Sequence, residues 1–172
     1  MKPDAPDQSE PSRPEADAPG VRPEGRPRLE WISWLVCWIP YALLTWKFRF
    51  VCDDAFISFR FARNWVHGHG LRYNLGDHLP VEGYSNFLWV CVAAVFEWAG
   101  VDPRIWVSIV SFAAGSLLLL LVFRTLHRCL GMSLWVVVPA CLFLGCSPAL
   151  AVWSTSGLET AAFALLMFLV AE

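Results

Sequence analysis

Apolar positions in this chain fall in long runs, separated by two polar islands. Trp31–Val51 opens with WISWLVCWIPYALLTW, 16 residues without a charge, and predicts a first membrane span over about 31–51. Trp31, Trp34 and Trp46 suit interfacial belts, Lys47 and Arg49 can snorkel at the far end, and Pro40 predicts a kink. Ile105–Phe123 runs 19 residues without a charge and predicts a second span. A third is expected over 133–153, with Pro139 and Pro148 inside it. The last run, 158–172, stops 14 apolar-rich residues in, at Glu172, so the chain reads as the N-terminal part of a longer or truncated membrane protein.

The run NFLWVCVAAVFEWAG, within 85–100, is short for a span and carries Glu97. It is read as interfacial or re-entrant over 85–99. Its behaviour sets the topology. If it crosses, the two polar islands lie on opposite faces. If it does not, they share the outer face, and Arg124, His127 and Arg128 form a short inner loop. Its length and Glu97 favour the second arrangement.

The first island, Cys52–Trp89, reads CDDAFISFRFARNWVHGHGLRYNLGDHLPVEGYSNFLW. Asp53 or Asp54 is positioned to cap a helix running to about Val66 and stopping at His67-Gly68-His69-Gly70. A 3.6-residue period puts Asp53, Ile57, Arg60 and Asn64 on one face, Phe56, Phe59 and Arg63 on another, and Phe61 and Trp65 on a third. Such a helix suits the membrane interface. Asn74-Leu75-Gly76-Asp77 reads as a turn. The second island, Ser154–Thr160, reads STSGLET and is the expected partner of the first. Residues 1–30 hold seven prolines and 12 charges, the composition of a disordered cytoplasmic tail without a signal-peptide layout.

Composition sharpens the class. The chain is 56% hydrophobic, above the roughly 45–50% of soluble domains. A net charge of −2 provides no basic footprint, so nucleic acid is not an expected partner. The six cysteines show no metal or disulfide spacing, and those in the runs act as small apolar residues.

The islands carry the candidate chemistry. Asp53 and Asp54 lie just past a span, where burial and like charge both disfavour ionisation, which suits a tuned general base or a metal ligand. A helix start explains the same pair. Arg60 and Arg63 suit phosphate, or lipid headgroups by snorkelling. His67, His69 and His78 with Asp77 match no zinc spacing and read as a solvated loop. Glu82 sits in an apolar-aromatic setting beside Gly83 and is expected to pair with Arg60 or Arg63. Ser156 and Glu159 have capping-box spacing, yet a carboxylate at a membrane-side helix end also marks a site.

The ordered series DD, R-x-A-R-N, G-x-G-L, N-x-G-D, VEGYSNFLW and then GLET resembles membrane glycosyltransferases of the GT-C superfamily. The likeness is greatest to the branch holding the terminal arabinofuranosyltransferases of the mycobacterial cell wall, and covers about 31–172. It implies an all-α, multi-pass protein of the bacterial cytoplasmic membrane, with the first polar loop extracytoplasmic. It further implies inverting transfer of a sugar from a polyprenyl-phosphate donor to a hydroxyl of a glycan or lipid acceptor, in cell-envelope assembly. Under it Asp53 or Asp54 is the catalytic base, and Arg60, Arg63, Glu82, Tyr84 and Glu159 are candidate substrate-binding residues. No cofactor is specified; a divalent cation stays open. Competing readings are a non-catalytic assembly or motility factor on the same scaffold, an inactive remnant, and a transporter fragment. The last has little support, because the two long runs offer only serines as polar residues.

Overall fold

The first helix begins with Pro27, a residue suited to a helix N-terminus because it has no N–H to satisfy there. A computed structural model describes residues 27–76 and 83–171. All regular structure among them is helical: α1 Pro27–Lys47, α2 Asp53–Val66, α3 Phe87–Trp98, α4 Pro103–Arg124, α5 Leu134–Gly145, α6 Pro148–Trp153 and α7 Thr160–Ala171. A π-helical turn, Thr125–Cys129, continues α4. The disordered tail assigned to 1–30 lies outside the described residues, except for 27–30, which are helical.

Three expectations need correction. α1 starts earlier than Trp31 and ends at Lys47 rather than Val51, with Pro40 inside it. The segment 133–153 is two helices, because Pro148 starts α6 as its first residue and Ser147 caps it, accepting from the N–H of Leu150. Arg124, His127 and Arg128 are helical, not a loop. The turn at Leu75–Gly76 is present, with Gly76 at φ +106°, while Asp77 lies outside the described residues.

α1 and α4 are antiparallel, as three pairs of contacts show. Glu30 Oε2 accepts from Arg128 Nη2 at 2.7 Å, Trp38 Nε1 donates to Ser116 Oγ at 3.0 Å, and Tyr41 stacks on Phe112 at 5.5 Å. Cys37, Tyr41, Leu119, Phe123, Val137 and Cys141 form the core between α1, α4 and α5. All six cysteines are free thiols. A second core joins α2, α3 and the start of α4 through Phe59, Phe61, Trp89, Val90 and Val107. The Glu30–Arg128 pair therefore marks one end of the molecule, and α2, α3 and the first turn of α4 mark the other.

Among the described residues one helix, Pro103–Cys129 with its π-turn, is long and apolar enough to cross a membrane. α3, at 12 residues, extends only about 18 Å, against a hydrocarbon core of about 30 Å. Large apolar side chains stand uncovered along the helices: Trp135 is 91% exposed, Phe143 85% and Val170 84%. Surfaces of this kind normally meet lipid or another apolar partner.

The α3–α4 corner is closed by charge. Asp102 Oδ1 accepts the N–H of Arg104 at 2.9 Å, and its carboxylate takes the Arg104 guanidinium at 2.6 Å. These bonds hold the Asp102 carboxyl below the usual aspartate range. Because its folded pKa is depressed, the cap is complete above the ordinary aspartate range and is lost as pH falls through the lowered value. Asp102→Ala should cost about 1 kcal/mol in thermal unfolding at neutral pH. That difference should shrink as pH falls below the ordinary aspartate range.

Candidate functional site

Cys52 is extended and its carbonyl accepts the N–H of Ala55, so the N-cap of α2 is Cys52. The expectation that an aspartate caps this helix is corrected. Asp53 and Asp54 occupy the first turn, where the helix dipole favours carboxylates, and both are exposed. The end at His67 and Gly68 is as expected, with Gly68 at φ +82°.

The faces of α2 also differ from the periodic reading. Asn64 shares the periodic face of Asp53 and Arg60, but it is buried. The following loop folds back over it, and its Nδ2 donates to the carbonyls of Arg72 at 2.6 Å and Tyr73 at 3.1 Å. The exposed arc is instead Asp53, Phe56, Arg60 and Arg63, at a spacing that keeps them on one side of a helix. Asp54 lies off that arc. It is one turn before Ser58, whose side chain is buried towards α3.

The two polar islands come together. Cys52 N–H donates to the Ser156 carbonyl at 2.8 Å, and the buried Trp89 Nε1 donates to the Gly157 carbonyl at 2.8 Å. From α4, Ser108 Oγ donates to the Thr155 carbonyl at 3.0 Å and Ser111 Oγ to the Leu158 carbonyl at 3.2 Å. Asn86 Nδ2 donates to Glu159 Oε2 at 2.8 Å, and its Oδ1 accepts from Ser58 Oγ at 3.3 Å. Glu159 thus faces α2 across Asn86. The capping-box arrangement does not form: Ser156 Oγ donates to the Trp153 carbonyl and accepts from Leu158 N–H, and helix α7 begins at Thr160. Trp89→Phe should lower thermal stability by about 1–3 kcal/mol, because it leaves the Gly157 carbonyl unpaired in a buried place. Unfolding scans of the purified protein check this.

On the exposed arc, α2 borders a groove of about 1320 Å³ that reaches the α3–α4 corner. Arg60, Arg63, His67, His69, Tyr73, Glu97 and Arg104 are in its lining, and Asp53, Asp54 and Glu159 are not. Arg60 stacks its guanidinium over the Tyr73 ring at 4.5 Å, and His67 Nδ1 lies 2.8 Å from the Arg63 carbonyl. Tyr84 packs edge-on to Phe61 at 4.7 Å and against Phe87, a packing role for its ring. Glu82, His78 and Asp77 lie outside the described residues, so the expected Glu82–arginine pair does too. Among the described residues, no three His, Cys, Asp or Glu side chains gather as a metal-ligand group.

The sequence reading missed Ser58, Asn86, Trp89, Ser108 and Ser111, which join the islands. The available signals were Asn86 inside YSNFLW and the i, i+3 serines on an otherwise apolar helix. No protein-family model matches the chain, and neither a curated protein nor a solved structure matches it significantly.

Proposed function

We propose that this protein is a membrane glycosyltransferase of the GT-C type, working at the extracytoplasmic face of a bacterial cytoplasmic membrane in cell-envelope glycan assembly. One observation carries the reading: the second island brings Glu159 by hydrogen bond to Asn86, and Asn86 to Ser58, one turn from Asp54. The motif-bearing acids of two distant stretches thereby share one end of the molecule, beside a groove holding Arg60 and Arg63. The uncovered apolar helix faces and the 27-residue helix support membrane placement. In this reading the short α3 does not cross, both islands share the outer face, and Arg124 and Arg128 lie at the far end.

In the proposed reaction the acceptor hydroxyl oxygen attacks the anomeric carbon of a polyprenyl-phosphate sugar. The bond from that carbon to the phosphate oxygen breaks, and its electron pair leaves on the lipid phosphate. The hydroxyl proton passes to Asp53 or Asp54. Inversion follows from attack opposite the leaving group. Arginines stabilise the departing phosphate, so little acid assistance is needed.

The test uses full-length protein in membranes, with labelled polyprenyl-phosphate-linked pentose and hexose donors. Asp53→Asn, Asp54→Asn and the double variant are compared at equal expression. Loss of label transfer to glycan in the double variant is expected. Unaltered transfer in all three would remove both carboxylates from the chemistry and leave a non-catalytic assembly factor.

A further inference from the structure

Helix α1 has one packed side and one bare side. Cys37, Tyr41 and Thr45 are buried towards the core. Leu35, Ile39, Leu43 and Trp46, three and four residues apart on the opposite side, are exposed. From Leu35 to Trp46 the helix rises about 17 Å, close to the ~15 Å of hydrocarbon in one leaflet. The bare stripe runs straight into Trp46-Lys47-Phe48-Arg49-Phe50, five consecutive exposed residues that alternate ring and cation.

Both cations lie against rings rather than carboxylates. The Arg49 guanidinium is 3.9 Å from the Trp46 ring centroid, and Lys47 Nζ is 5.4 Å from that of Phe48. Among the described residues neither forms an ion pair, although the exposed Asp53 and Asp54 begin α2 just beyond them. Two positive charges therefore stand free at the end of an apolar strip.

The loop that holds them is fixed from behind. Phe50 meets Trp153, the last residue of α6, edge-on at 6.4 Å. The N–H of Cys52 donates to the Ser156 carbonyl at 2.8 Å. The short connection from α1 to α2 is thus tied to the second island at its far end. Alternating rings and cations suit the headgroup level of a bilayer, where rings lie flat among the headgroups and cations reach the phosphates. A soluble anion would occupy the cations and leave the stripe bare. A molecule with an acyl chain and an anionic head covers both.

We propose that this side of α1 is a binding surface for an anionic bilayer phospholipid, with acyl chains along Leu35, Ile39 and Leu43 and the phosphate at Lys47 and Arg49. The inference rests on the membrane placement proposed above and not on sugar transfer. An occupied surface fixes the depth of the 48–52 connection, and with it the level at which α2 and its two acids start.

The test uses the full chain in phosphatidylcholine nanodiscs with a trace of phosphatidylglycerol that has a photoreactive diazirine beside its phosphate. The matching photoreactive phosphatidylcholine is the comparison probe, and the label is mapped by mass spectrometry. Phosphatidylglycerol should label 46–50 several-fold more than phosphatidylcholine does. The double variant Lys47→Gln with Arg49→Gln should lower that labelling by about fivefold or more, the effect of removing at least one cation near an anionic headgroup. Arg124→Gln, which removes a charge at the other end of the molecule, should change it less than twofold. Raising the salt concentration should weaken the phosphatidylglycerol label at 46–50 and leave the phosphatidylcholine label unchanged, an arm that needs no variant to fold. Equal labelling by the two lipids, labelling indifferent to both the double variant and salt, or an equal loss in Arg124→Gln would overturn the site. Competition by soluble dextran sulfate as strong as by unlabelled phosphatidylglycerol would overturn the lipid and point to an acidic polymer. Alkaline carbonate separates the two readings. A chain that it extracts from membranes would sink the membrane placement and this surface together, whereas an inserted chain without label at 46–50 would sink the surface alone.

Discussion

Asp54→Asn should lower sugar transfer by about 10²–10⁴-fold, the usual contribution of a positioned general base. Asp53→Asn should lower it less. The two neighbours differ by about 100° around α2. Asp53 is on the exposed arc with Arg60 and Arg63, and Asp54 is on the Ser58 side, towards Asn86 and Glu159. In an inverting displacement the base and the leaving phosphate act on opposite faces of the anomeric carbon. If the arginines hold the phosphate, the aspartate off their arc is the one placed for the acceptor hydroxyl. Initial rates with saturating donor check this, with KM for the acceptor followed separately. A loss confined to KM would make Asp54 a binding group. A larger loss in Asp53→Asn than in Asp54→Asn would exchange the two roles.

Gly157→Ala should destabilise the protein by about 2–4 kcal/mol and abolish transfer along with it. Two costs combine. Gly157 has φ +82°, a left-handed conformation that costs an L-residue about 1–2 kcal/mol. An added Cβ would also lie 2.8 Å from the Ala55 Cβ, forcing the second island off α2 and adding roughly 1–3 kcal/mol of overpacking. Gly131→Ala separates the two. Gly131 has φ +65° and nothing within 4 Å of an added Cβ, so it should show the conformational cost alone. Thermal unfolding of both variants in the same detergent makes the comparison. Equal losses would mean that the islands do not pack closely at Gly157.

Several features were legible in the sequence because they depend on neighbours along the chain. The period and charge pattern of 53–66 define α2, with its stop at the His-Gly repeat. The uncharged run after Arg104 defines the long helix α4, and the short length of 87–98 follows from its flanking turns. The two polar islands stand out by composition alone. Other features depended on which surfaces meet. Asn64 shares a helical face with Asp53 and Arg60, but the returning loop buries it, and no periodicity encodes that return. Ser156 and Glu159 have capping-box spacing, yet Asn86, 73 residues from Glu159 in sequence, takes the carboxylate instead. The break before Pro148 was visible as a proline, and became two helices because Ser147 caps the second. The first stretch, Cys52–Trp89, was defined by sequence as a polar island with a helix and two adjacent acids. The helical period alone puts those acids about 100° apart; only the tertiary structure decided what each side faces, because burial of Ser58 against Asn86 sets how the helix is turned.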